Sequence, residues 1–183
     1  MILIFIFLFT ILILVAYSYN RLIKTQNLLK EGWSGVDVQL KKRHELVPNL
    51  VAVVKEYANY EEETLVNIVN ARSGKSDISN INETANSENQ LSNNLSKIIA
   101  LAEKYPDLKA DTNFLRLQQD LSEIEDHLQL ARRYYNGTVR NFENIRQSFP
   151  SNMIANYFKF PEARFFELTN REIESVSPKV ELT

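Results

Sequence analysis

Cysteine is absent from this 183-residue sequence, which removes disulfides, thiolate zinc sites, thiol catalysis and lipoprotein anchoring together. Glycine occurs four times and proline five, so hairpin turns are scarce and an all-α fold is expected. Neither sign of charge dominates: 21 Lys and Arg stand against 23 Asp and Glu, a formal net charge of −2, whereas a nucleic-acid binder needs a basic face. The two histidines are His44 and His127. A di-iron bundle requires inward Glu-x-x-His pairs, and neither histidine has a glutamate three positions before it. Glu123 stands four before His127, a pair more often found in a surface hydrogen bond than in a ligand set. Serine nucleophile elbows and phosphate-cradling glycine loops are missing as well. No catalytic, metal or cofactor-binding residue is assigned, and the chain is read as a non-enzyme.

What is present begins with Met1–Tyr19, a run dominated by Ile, Leu, Phe and Val with no charged side chain. Sixteen to nineteen helical residues reach about 24 to 28 Å, at the short end of what spans a hydrocarbon core. Tyr17 and Tyr19 fall where an interfacial aromatic belt belongs. A cleaved signal peptide needs a basic start and a small-x-small exit, and neither is here. Residues 1–19 are therefore read as an uncleaved anchor in contact with membrane lipid. Arg21, Lys24 and Lys30 follow it and no basic side chain precedes it, so the positive-inside rule puts the N-terminus outside and the remainder in the cytoplasm.

The stretch Glu31–Arg72 organises the rest. Trp33, Val36, Leu40, Val47, Leu50, Val54, Tyr57, Leu65 and Ile68 recur at one unbroken three-four spacing, with polar positions only near 43 and 61. The stripe keeps its phase across Pro48, which predicts one long helix from Asn20 to Arg72 bent between His44 and Asn49. Proline has no N–H for the carbonyl of His44, so an acceptor is left free in mid-helix. Three adjacent cations, a histidine, that carbonyl and the proline make Lys41, Lys42, Arg43, His44, Pro48 and Asn49 a candidate docking site for an acidic protein segment. Counted from Tyr19, the cations lie about 33 Å up a straight helix, several Debye lengths from a bilayer surface, which disfavours lipid contact there. Glu61, Glu62 and Glu63 point in different directions around a helix and cannot converge on one ion.

The run EGWSGVDVQLKKRHELVPNLV, followed by KEYANYEEETL and NAR, resembles the signature of the LemA family of bacterial single-pass membrane proteins. YYNGTVRNFENIRQSFPSNMIANYF, from Tyr134 to Phe158, and PKV, from Pro178 to Val180, resemble that family's C-terminal motifs. The match covers most of the chain except roughly Gly74–Asp111. The resemblance implies a short N-terminal anchor and an envelope protein, with relatives often encoded near membrane peptidases; it implies no biochemical activity.

From Ser73 to Asn94 the sequence turns polar, a loop at Gly74 re-entering a helix after Ser79 with Asn82 or Ser79 as cap. Leu91, Leu95, Ile98, Ala102 and Tyr105 form the next stripe, ended by Pro106. A second long helix is expected from about Leu108 to Ser148, its stripe running through Leu115, Leu121, Ile124, Leu128, Tyr135, Phe142 and Ile145 to Phe149. SNMIANYF after Pro150 reads as a short helix in a segment dense in aromatics, which either pack across the bundle end or form an exposed docking patch. Core positions are expected at Leu50, Val54, Tyr57, Leu121, Leu128 and Tyr135. The expected architecture is an antiparallel up-down bundle of three to four helices with left-handed, coiled-coil-like packing. Residues 1–19 are the anchor, 20–170 the bundle and 171–183 an extended tail. The function expected is that of a scaffold or adaptor binding an unidentified protein, an envelope peptidase or another membrane protein. The competing readings are an enzyme of unrecognised type and a self-assembling homo-oligomer.

Overall fold

The computed structural model describes residues 1–57 and 78–167, and among them there are helices and no strand. Helix α1 is Ile2–Tyr57; a 3-10 turn at Ile78–Asn80 leads into α2, Ile81–Ala102. Then come α3, Pro106–Ala110, α4, Thr112–Gln147, and α5, Ser151–Tyr157. The chain is all-α, as its composition requires. The part of the predicted first helix from Ala58 to Arg72, and the tail at 171–183, lie outside the described residues.

Pro48 sits within α1 and does not end it. An interior proline costs about 3 kcal/mol, and each fully buried aliphatic side chain contributes about 1.5 to 3 kcal/mol. Val47, Leu50, Val51 and Val54, all buried around Pro48, outweigh that cost provided the helix phase is kept.

The chain forms two compact units. The first is Met1–Gln39 with Asp126–Phe165, the second Leu40–Glu125 with the chain from Phe166. In the first, Leu22, Leu29, Trp33 and Val36 of α1 are buried, and so are Leu128, Tyr135, Val139, Phe142 and Ile145 of α4. The helices run antiparallel here: Arg21 shares a groove with Asn141 and Ile145, while Trp33, further along α1, meets Tyr135, earlier on α4, at a ring separation of 5.3 Å. Gly32 makes that approach possible. A Cβ there would lie 3.2 Å from the Tyr135 Cα and 3.2 Å from Thr138 Oγ1.

Segment 162–164 is tied back onto α4. Tyr135, fully buried, donates its hydroxyl to the Arg164 carbonyl at 2.9 Å, and burial pushes its phenol up to about 12. Glu143 accepts from the Ala163 amide at 2.7 Å and from Arg146 Nε at 2.9 Å. Burial opposes ionisation of Glu143, but these donors and Gln147 outweigh it and hold the carboxyl below its ordinary value.

The second unit has an aliphatic core in which Val47, Leu50 and Val54 of α1 join Leu91, Leu95 and Ile98 of α2, Leu108 of α3, and Phe114, Leu117 and Leu121 of α4. Tyr57 is packed against it, partly exposed. The helix predicted from Leu108 to Ser148 is here two. Asp111 takes an extended backbone (φ −66°, ψ 127°) and its Oδ1 accepts the Phe114 amide at 2.9 Å, an aspartate cap that restarts the helix. That amide, with burial opposing it and the Tyr57 hydroxyl donating at 3.0 Å, keeps the Asp111 carboxyl below its ordinary value. The restart resets the phase: Phe114 and Leu117 turn inward and Leu115, expected inside, is 48% exposed.

At the start of α2 the capping position is Asn80, not Asn82 or Ser79; its side-chain amide reaches Glu83 and makes no cap bond. The aromatics after α4 divide. Phe149, expected on the buried stripe, is 80% exposed, Tyr157 and Phe158 are exposed too, and Phe166 is fully buried. Tyr19 packs its ring 4.9 Å from Phe158 and 5.9 Å from Phe160.

Candidate functional site

Three buried stripes are each interrupted once by a charge. Arg43 lies between Leu40 and Val47 on α1, Glu88 between Thr84 and Leu91 on α2, and Glu125 between Leu121 and Leu128 on α4. The three-four spacing puts each charge on the inward face, and the second unit gathers them into one layer. Arg43 Nη1 donates to Glu88 Oε2 at 2.8 Å, and Arg43 Nη2 lies 2.6 Å from Glu125 Oε1. Arg43 Nη2 also donates to Ser92 Oγ at 2.7 Å, and His44 Nε2 lies 2.7 Å from Glu88 Oε1. The side chains of Arg43 and Glu88 are each 2% exposed. Burying a charge costs several kcal/mol of hydration, and the Glu88 carboxylate, with both oxygens engaged, offsets that cost for the guanidinium.

The six residues expected to form a docking surface therefore part company. Arg43 and His44 turn onto Glu88; Lys41, Lys42 and Asn49 are exposed, and Pro48 is half-buried. The signal for Arg43 was in the sequence as the one polar break in an apolar stripe between Trp33 and Tyr57. Read with the same phase, Glu88 and Glu125 carry it too.

The chemistry open to this layer is limited. Ser92 Oγ accepts from Arg43 and donates its own proton to the Glu88 carbonyl at 3.0 Å, so among the described residues no base takes that proton to activate it as a nucleophile. Among the described residues no three His, Asp or Glu side chains are placed to hold a metal ion. What the layer does is join three helices, the guanidinium of α1 meeting carboxylates of α2 and α4.

Fold and site define a class: an all-α protein whose first helix is long and apolar enough to cross a membrane, followed by helices packed around an aliphatic core with a buried charged layer. The profile of the LemA family matches residues 32–182, and the chain belongs to that family. It is 28% identical over 161 residues to Protein LemA of Metamycoplasma hominis, a match covering 86% of this chain and 71% of that protein.

Proposed function

We propose that the protein is a membrane-anchored scaffold that acts by holding another envelope protein, with no turnover of its own. One observation carries the membrane-anchored part of this reading. Within a single uninterrupted helix, Ile2–Leu14 present exposed apolar side chains in every direction, and from Leu22 onward the same helix presents a one-sided buried stripe. A helix apolar all round suits lipid, and one apolar on one side suits a bundle. Family membership supports the reading, and the cations Arg21, Lys24 and Lys30 favour a cytoplasmic bundle with the N-terminus outside. Lys42 and Asn49 are exposed on α1 and, with Lys41, form the contact face for an acidic protein segment.

The test uses intact cells and native membranes. The chain should resist alkaline extraction, and deleting residues 1–19 should release it to the soluble fraction. In a chain without cysteine, Asn86→Cys should react with a membrane-impermeant thiol reagent only after lysis; labelling of intact cells reverses the topology. Crosslinks to a partner should disappear in Lys41→Glu with Lys42→Glu while helicity is kept. Unchanged crosslinks would remove that face from the contact.

A further inference from the structure

Where α1 leaves its apolar run, the first unit carries an open groove of about 540 Å³ between α1 and the last turns of α4. Tyr17, Asn20, Arg21 and Lys24 line it from α1, and Asn141 and Ile145 line it from α4. No carboxylate is among the lining side chains. Arg21 and Lys24 are exposed, and neither side chain has a hydrogen-bond or ion-pair partner among the described residues. Elsewhere in this unit the contrast is plain, with Arg146 engaged by both Glu143 and Glu162.

The height of the groove is set by the helix. With a rise of about 1.5 Å per residue, Arg21 lies about 3 Å and Lys24 about 7.5 Å beyond Tyr19, where the apolar run ends. The headgroup layer on each side of a bilayer is about 5 to 8 Å thick, so both cations stand within it. The rings of Phe158 and Phe160 against Tyr19 form an aromatic belt at that level, as expected of an interfacial zone.

We propose that this groove binds the phosphodiester headgroup of an anionic phospholipid from the leaflet on the bundle side. The Arg21 guanidinium presents a planar fork that matches two phosphate oxygens, and Lys24 supplies a second, mobile cation. Asn141 and Asn20 offer amide donors and acceptors to headgroup hydroxyls, and Ile145 gives the glycerol carbons an apolar floor. The proposal rests on the membrane-anchored reading. It goes beyond that reading by giving the base of the bundle a lipid preference that α4 shares in creating.

The experiment places the full chain in bilayers of phosphatidylcholine containing spin-labelled phosphatidylglycerol or spin-labelled phosphatidylcholine, and compares the motionally restricted lipid fraction. Phosphatidylglycerol should be preferred, with the preference falling about fivefold for each cation removed in Arg21→Gln and Lys24→Gln. Asn141→Phe keeps both cations and fills the groove, so it should also lose most of the preference. Lys97→Gln with Lys104→Gln removes the same charge from the second unit, at residues that do not line the groove, and should lose none. Excess inorganic phosphate should not release the lipid, because the glycerol and acyl contacts are missing from it. A full preference in Asn141→Phe, with helicity unchanged, overturns the proposal in favour of diffuse juxtamembrane charge. Equal restriction of the two lipids, or displacement by phosphate, overturns it as well. Failure of the chain to enter either bilayer is a different result, which overturns the anchoring reading and takes the groove's role with it.

Discussion

Helix α1 is buried twice along its length, by two different means. In the first unit it packs through Gly32 and Trp33 against Tyr135, and the match is one of shape. In the second it packs through valines and leucines, and the match is completed by a charge, Arg43, that needs its carboxylates. Errors of volume are costly in one region and errors of charge in the other.

The largest effect is expected from charge. Glu88→Leu leaves the buried Arg43 guanidinium with the half-exposed Glu125 and the Ser92 hydroxyl, and should cost about 3 to 5 kcal/mol in thermal unfolding followed by circular dichroism in detergent. Arg43→Leu combined with Glu88→Leu should recover most of that loss, because two apolar side chains of similar size replace a pair that had to be desolvated. A double variant as unstable as the single one would show that the layer does more than satisfy its own charges. Next comes volume: Leu128→Ala in the first unit should cost about 2 to 5 kcal/mol, and a loss below roughly 0.5 kcal/mol would place that side chain at the surface.

Smaller effects separate two glycines on the same helix. Gly32→Val should cost about 1 to 3 kcal/mol, since its methyls run into the Tyr135 backbone. Gly35 has nothing within 4 Å of an added Cβ, and Gly35→Ala should stabilise by about 0.5 to 1 kcal/mol through helix propensity alone. Equal responses at the two positions would contradict the close approach at Gly32. The mildest test is pH. The Glu143 carboxyl is depressed in the folded protein, so its contribution is fully present above the ordinary value of 4.5 and is lost as pH falls through the folded value. Glu143→Gln should flatten that part of the acid limb and leave the neutral region's pH dependence as it was.

Much of the fold could be read from residue spacing. The stripe from Trp33 to Tyr57 located the buried face of α1 and carried the helix through Pro48, and Leu50, Val54, Leu121, Leu128 and Tyr135 are buried as expected. Spacing failed at Asp111, where one aspartate cap restarts the helix and rotates the inward set by one position; an Asp three residues before Phe114 was the available sign. Within the site, Arg43 is misplaced by adjacency for a related reason. Lys41, Lys42 and Arg43 read as a cationic triplet by adjacency, but adjacent residues on a helix face different ways, and periodicity places the third on the stripe. The groove at Arg21 and Lys24 could not be read at all, because Asn141 reaches it only through the antiparallel return of α4.

That return also has a consequence in time. Trp33 leaves the ribosome about a hundred residues before Tyr135, and at about 5 to 20 residues per second the interval is roughly 5 to 20 s. Through that interval the inward face of the first unit's part of α1, around Leu29, Trp33 and Val36, has no α4 to close against. A nascent chain caught at this stage leaves Leu29, Trp33 and Val36 uncovered, apolar side chains that the finished protein conceals.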